Sequence, residues 1–541
     1  MEKINLLVIA SIFVAMFLVT LDRLIISTAI PQITNEFHST GDIGWYGTAY
    51  LLTSCSVQLV FGKIYTLFSV KTTLLATILL FEAGSALCAA APSSLVFIIG
   101  RALAGLGAGG VLSGVMVVVV YTIPLNKRPQ YQGFFGAVVG ISSVTGPLIG
   151  GAFTSNITWR WCFYLNLPLG GLVFVLILFL LHLPDRPETK ISLREKLVQL
   201  NVWGLLVLLP GVVCLCLALQ WSSVGFYYLL STLAIHTLTT QYRRIILSVF
   251  ATLLILAFIS IQIWRPDQAI VPPRVFLQRS IVSGVWVSAC LGHMMLIVYF
   301  LPLWFQGIQS LSAVQSGIHL LPTLVPMVAA SIVTGHLVSR IGYYTPFLIG
   351  GTCLASIGTG LFTTLDVQST LSQWVGYQIL YGFGLGMSSQ APNMAAQTVL
   401  QRTEAAMGIS LMFFAQLLFG SVFLSIGETV LQDQLVTRLG EIAGLHMDIT
   451  LQQVENMGAT ELMQMIPDAY RQEALVAYND SLGACFQIAL ILACLSVGGG
   501  IFMEWRSVRE RGKEEKEENK KEEKEKEEKE KEEGKENKTV C

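Results

Sequence analysis

The chain has 541 residues, of which 53% are hydrophobic and only 13% charged, and its formal net charge is −1. Globular domains carry roughly a quarter charged residues, so a water-soluble enzyme and a nucleic-acid-binding protein are both excluded and a polytopic membrane protein is expected. The charge is also uneven: from Arg511 to Lys538 the sequence is almost wholly Lys and Glu, which leaves the body poorer still.

A membrane-crossing helix needs about twenty mainly apolar residues. Fourteen stretches meet that rule, near 6–30, 44–62, 72–91, 95–121, 131–154, 162–182, 200–220, 243–264, 281–305, 317–338, 345–364, 372–400, 407–430 and 484–503. The first contains Asp22 and Arg23 and has no small-residue cleavage site, so it reads as a span rather than a cleaved signal. Lys and Arg recur in alternate loops: Lys63 and Lys71, Lys127 and Arg128, Arg186 to Lys196, Arg265 to Arg279, Arg340 and Arg402. The opposite loops, around Ser39, Pro92 and Ser312, nearly lack them, which places both termini in the cytoplasm. The ten cysteines lie mostly inside apolar runs, as Cys214, Cys216, Cys290, Cys353 and Cys494 do, and read as small buried hydrophobes with no metal-ligand spacing.

The most informative stretch runs from Arg101 to Gly151, two apolar helices joined by a short basic loop. Gly105 and Gly109, then Gly110 and Gly114, recur at four-residue spacing in the first helix. Residues four apart share a face, so another backbone can approach closely there. Arg101 lies on the face of Gly105 and Gly109 and turns toward protein, where a charge is costly and points to function. The second helix reads Gly136, Gly140, Gly146, Pro147, Gly150, Gly151. A proline inside such a run persists in a membrane as a kink whose freed carbonyl is satisfied by neighbours.

These two motifs, in this order, resemble the fourth-helix arginine motif and the antiporter motif of the major facilitator superfamily. An internal echo adds to the likeness. Gly62-Lys-Ile-Tyr-Thr-Leu-Phe-Ser-Val-Lys71 and Gly335-His-Leu-Val-Ser-Arg-Ile-Gly342 both resemble that superfamily's loop motif, with Thr66 and Ser339 in place of its aspartate. The repetition divides the chain into an N-terminal six-helix bundle, 1–182, a linker with two extra spans, 183–280, a C-terminal six-helix bundle, 281–503, with an outside loop at 431–483, and a charged cytoplasmic tail, 504–541. Fourteen spans so arranged resemble the drug:proton antiporter branch, and within it fungal efflux pumps for mycotoxins and other secondary metabolites. The likeness is sharpest at Leu21-Asp22 through Pro31, Gly44-Trp45-Tyr46, Trp159 through Pro168, and Leu301 through Gln306. It implies that Asp22 couples transport to protons. Arg23 replaces the small or polar residue expected after that aspartate, and local pairing with Asp22 is the reading its position suggests.

Val224 to Gln241 does not fit a short loop, and codons compatible with splice signals at its edges suggest a retained intron translated in frame. Asn479-Asp-Ser481 is a glycosylation sequon on the expected outer side. The Lys/Glu tail reads as a solvated helix supported by i,i+4 pairs.

Inside the expected membrane layer, ionisable groups are few. Glu82 shares a face with Ser85, Ala86 and Ala89, and Glu428 lies near Ser421, Ser425 and Gln432; with Asp22 and Arg101 they complete the candidate proton-coupling set. His293, His319 and His336 read as packing residues. Gln378, Gly382, Gly386, Gln390, Asn393 and Gln397 form a stripe that cannot sensibly face lipid. With Gln58, Gln306 and Gln416 it is the candidate cavity lining for a large, mostly apolar ligand.

No catalytic constellation, phosphate-binding GxxxxGK[ST] loop or metal-ligand cluster is apparent, so neither enzyme activity, ATP nor a cofactor is expected. The reading is a monomeric, proton-coupled exporter of hydrophobic small molecules in the plasma membrane, working by alternating access. A vacuolar transporter for basic amino acids or siderophores and a transporter-like nutrient sensor are the alternatives.

Overall fold

The computed structural model describes residues 2–39, 42–183, 186, 189–220, 238–442, 466–515 and 517. Among them the only regular structure besides helices is one isolated bridge between Tyr343 and Ser507. Most of the 224–241 segment, much of the outer loop and most of the Lys/Glu tail lie outside the described residues.

The N-terminal bundle comprises α1 (Glu2–Phe37), α2 (Ile43–Leu67), α3 (Val70–Ala89), α4 (Ser94–Thr122), α5 (Arg128–Asn156) and α6 (Asn166–Leu180), the last preceded by a single turn at Trp161–Tyr164. The linker helices are α7 (Val202–Gln220) and α8 (Leu238–Trp264). They pair with each other, and α7 also touches α2 and the later helix Ala405–Gly440. The C-terminal bundle comprises α9 (Arg279–Cys290), α10 (His293–Ile308), α11 (Leu321–Ile341), α12 (Thr345–Phe362), α13 (Leu371–Ser388), α14 (Ala391–Val399), α15 (Ala405–Gly440) and α16 (Arg471–Phe502).

Helices occupy all fourteen expected positions, but the expected count of crossings is not reached by length and apolarity. Eleven of the described helical segments are long and apolar enough on their own, and twelve if the bent pair Leu193–Gln199 and Val202–Ala218 forms one span. The two that fall short are α2 and the broken pair α13 and α14. Both carry buried polar side chains, among them Ser54, Ser56 and Gln58 in α2 and Gln378, Ser388 and Asn393 in the pair. Polarity that faces protein lowers mean hydropathy without exposing a polar group to lipid.

Glycine determines how closely the helices pack. A Cβ at Gly105 would collide with Thr53 Oγ1 and Tyr50 O of α2, and one at Gly109 would lie 2.9 Å from Ser54 O. Gly107 and Gly110 press instead on Phe81 and Thr77 of α3. α4 is thus clamped between two neighbours on opposite glycine stripes. In α5 the motif divides: Gly136 and Gly140 meet Ser331 and Val328 of α11, in the other bundle, whereas Gly146 and Gly150 meet Leu24 and Thr28 of α1. Gly151 has nothing within 4 Å.

The bundles meet along two seams, α2 against α15 and α5 against α11. The two loop-motif copies mark them equivalently: Gly62 abuts Ser410 of α15, and Gly335 abuts Pro129 of α5. Val8 of α1 shares a hydrophobic cluster with Val120 and Leu181, and Ser507 bridges to Tyr343 beside Gly342, so the start of α1 and the stretch just after Phe502 lie on one side. On that side the seams are tied by Ser339 Oγ donating to Asn126 O at 2.6 Å, Arg402 donating to Tyr121 O at 2.7 Å, and Arg128 pairing with Glu515 at 3.1 Å.

Adjacent glycines therefore differ sharply in what they tolerate. Gly150→Val should cost about 1–3 kcal/mol through overpacking against α1, seen as a lower thermal unfolding midpoint in detergent, while Gly151→Val should leave that midpoint unchanged.

Candidate functional site

Asp22 and Arg101 are each 1% exposed and face one another in the interior of the N-terminal bundle. Arg101 Nη1 donates to Asp22 Oδ2 at 2.5 Å, and its Nε donates to Tyr46 O at 3.0 Å. The guanidinium lies 4.5 Å above the Tyr50 ring and 5.7 Å from that of Phe163. Asn166 Nδ2 donates 3.1 Å to Asp22 Oδ1 and also to Ser85 Oγ. Two ionised groups leave water at a cost of several kcal/mol each, which is offset only by good geometry and additional hydrogen bonds. Here four helices supply them, and the approach of α2 that brings Tyr46 and Tyr50 to Arg101 depends on Gly105 and Gly109.

Arg23 does not pair with Asp22. Successive helical residues point about 100° apart, and while Asp22 turns into its bundle, Arg23 turns toward the other one, where Nη2 lies 3.4 Å from Met295 Sδ. It lines a cavity of about 180 Å³ between the bundles. Apolar walls come from Leu51, Phe135, Met295, Phe413 and Leu417, and polar groups from Gln390, Asn393 and Gln416. Two C-terminal spans carry a two-residue interruption of the helix beside it. α9 gives way to α10 at Leu291-Gly292, just before Met294 and Met295, and α13 gives way to α14 at Ser389-Gln390. Irregular backbone at membrane depth is tolerated where it lines a cavity, and such breaks mark binding sites in transporters.

Of the expected cavity lining, the structure brings Gln390, Asn393 and Gln416 together. Gln378 accepts from Thr323 at 2.9 Å, and Gly382 and Gly386 press on Thr323 O and Met327 O, so this part of the stripe is the seam between α13 and α11. Gln58 donates to Ser113, which in turn meets Ser410 across the bundles at 3.1 Å. Gln306 donates to Ser316, away from the cavity.

The other charged candidates stand apart. Glu82 lies over Gly170 in an apolar recess with Ala15, Leu18 and Val111, and neither carboxylate oxygen has a hydrogen-bond partner. Glu428 of α15 faces Tyr299 of α10. Asn479, the asparagine of the sequon, is 7% exposed within α16, donates to Leu365 O at 3.0 Å and accepts from Trp304 Nε1 at 2.9 Å.

Two bundles around a central cavity, with broken helices beside it and a buried ion pair in one of them, define a secondary-transporter architecture. The chain matches the Major Facilitator Superfamily model over residues 12–424 and belongs to that superfamily. It is 45% identical to an MFS-type transporter of Claviceps purpurea over 93% of this chain and 86% of that one. Identity to the rubrofusarin-specific efflux pump aurT of Gibberella zeae is 42%, covering 93% and 90%, and to the efflux pump aflT of Aspergillus parasiticus 40%, covering 93% and 96%. In fold it is similar to the proton:xylose symporter XylE bound to 6-bromo-6-deoxy-D-glucose, with a TM-score of 0.57 at 14% identity, covering 93% of this chain and 95% of that one.

Sequence reasoning missed Asn166 and Ser85 as partners of the ion pair. Asn166 sat inside the Trp159-to-Pro168 motif, and an amide in an apolar run was the signal that pointed to it. Because the pair is buried, Arg101→Leu alone should destabilise the fold by roughly 3–5 kcal/mol, and adding Asp22→Asn should recover a substantial part of that loss in the thermal unfolding midpoint.

Proposed function

We propose that this chain is a proton-coupled exporter of hydrophobic small molecules, of the toxin and secondary-metabolite class, that works by alternating access. The export direction and cargo class follow the names of its relatives. The observation that carries the mechanism is the buried Asp22–Arg101 pair set next to a cavity that is tied shut on the side of the termini. The run of Lys and Arg in the loops on that side supports a cytoplasmic placement of both termini, in the plasma membrane.

In this reading the cavity, closed toward the cytoplasm, belongs to the outward-facing half of the cycle. Cargo leaves from it, and a proton then reaches Asp22. Neutralising the carboxylate removes the charge that holds Arg101, so the contacts among α1, α2, α4 and α6 loosen and the bundles rock about the α2–α15 and α5–α11 seams. With the cytoplasmic side open, the proton leaves, the pair re-forms around new cargo, and the carrier returns. Asn166 is the group that keeps Asp22 oriented between its two partners, and Glu428 and Glu82 are secondary proton sites. Gly146, Pro147 and Gly150 let α5 follow α1, while Gly136 and Gly140 seal the seam against leak.

In sealed vesicles carrying the purified chain, adding a candidate metabolite such as rubrofusarin should evoke proton movement that is lost in Asp22→Asn. Cargo movement indifferent to both the pH gradient and this substitution would identify a facilitator instead.

A further inference from the structure

The cavity has an electrostatic imbalance. Arg23 brings a permanent positive charge to it, yet no acidic side chain lines the cavity, and no described carboxylate lies within 4.0 Å of its guanidinium. Among the described residues its one hydrogen-bond contact is the thioether of Met295, a weak acceptor that leaves the other guanidinium donors without a protein partner there. The opposite wall carries the complement: Gln390 Oε1 and Asn393 Oδ1 are buried without a hydrogen-bond partner at the α13–α14 break. A cation and unpaired amides in so apolar a chamber each cost free energy unless something occupies it.

Resting on the transporter reading above, we infer that Arg23 is a specificity-determining residue that binds an acidic group of the cargo, so that the preferred substrates are largely apolar aromatic molecules carrying one ionised carboxylate or phenolate. The acid sits on the guanidinium of α1, the ring system lies among Phe135, Met295 and Phe413, and hydroxyl or amine donors at the far end reach Gln390 and Asn393. Contact with both bundles at once explains how a single cargo biases their relative position. Cationic molecules are rejected, because the chamber offers them repulsion and no carboxylate.

The probes are matched sets of two- and three-ring aromatic acids, their methyl esters and the corresponding aminomethyl cations, titrated against the full chain in nanodiscs. Wild type should bind the acids more tightly than the esters and the cations least. Arg23→Gln should lower acid affinity roughly 10- to 100-fold, the span of a charge-assisted hydrogen bond, and leave ester affinity unchanged, while Arg23→Lys should retain much of the preference. Arg23 holds no ion pair among the described residues, and an unchanged unfolding midpoint for both variants separates a binding effect from a folding one. The inference is overturned if no acid outbinds its ester in wild type, or if Arg23→Gln keeps the preference. Binding of acids without proton-linked export would instead remove the exporter reading and leave this one standing, whereas export of neutral cargo alone would do the reverse.

Discussion

The buried Asp22–Arg101 pair is the constraint on which the N-terminal bundle depends. A lone charge at membrane depth is costly, so each residue stabilises the other and every element that touches the pair is held to a narrow geometry. α4 supplies Arg101 and, through Gly105 and Gly109, the close approach of α2 that delivers Tyr46 O and the Tyr50 face. α6 supplies Asn166, and α3 supplies Ser85 behind it. Asp22 itself comes from α1, which is also packed against α5 through Gly146 and Gly150.

That position makes α1 the link between the ion pair and the cavity. Asp22 and Arg23 are consecutive, yet one is locked into its bundle and the other opens toward the opposite one. In the proposed cycle, a change in the charge on Asp22 would be felt one residue away at the cavity wall, and an anion held by Arg23 would act back on the same helix. α5 extends the connection, with its outer glycines on α1 and its inner ones on α11, across the seam. Such a chain of rigid contacts is the kind of element through which proton and cargo sites are coupled in a two-bundle carrier.

Much of this was legible in the sequence because hydrophobic length and glycine spacing are local signals. The positions of the spans, the glycine stripes of α4 and α5, and the loop-motif echo at Gly62 and Gly335 all follow from periodicity and motif. What periodicity does not contain is the identity of the neighbour. The Gln378-to-Asn393 stripe was one face in sequence, but the break at Ser389-Gln390 separates a packing seam from a cavity wall. Arg23 was read as a partner for the adjacent Asp22, although successive residues on a helix diverge and Arg101, distant in sequence, holds the carboxylate. Asn479 met a sequon pattern that is silent about burial, and the polar inner faces of α2 and of the α13–α14 pair keep those helices below the apolarity of a lipid-facing span.

The measurement that bears most directly on the central claim is the distance between the bundles as a function of Asp22 protonation. Spin labels at Thr72 and Arg506 report one bundle each; Arg506 and Thr72 are both exposed, and Cys353, Cys494 and Cys541 would first be replaced. In nanodiscs the account predicts that lowering the pH shifts the wild-type distance distribution toward a more open termini side, and that Asp22→Asn holds this open distribution at every pH. Identical, pH-independent distributions in the two proteins would contradict it and leave the pair as a structural clamp alone.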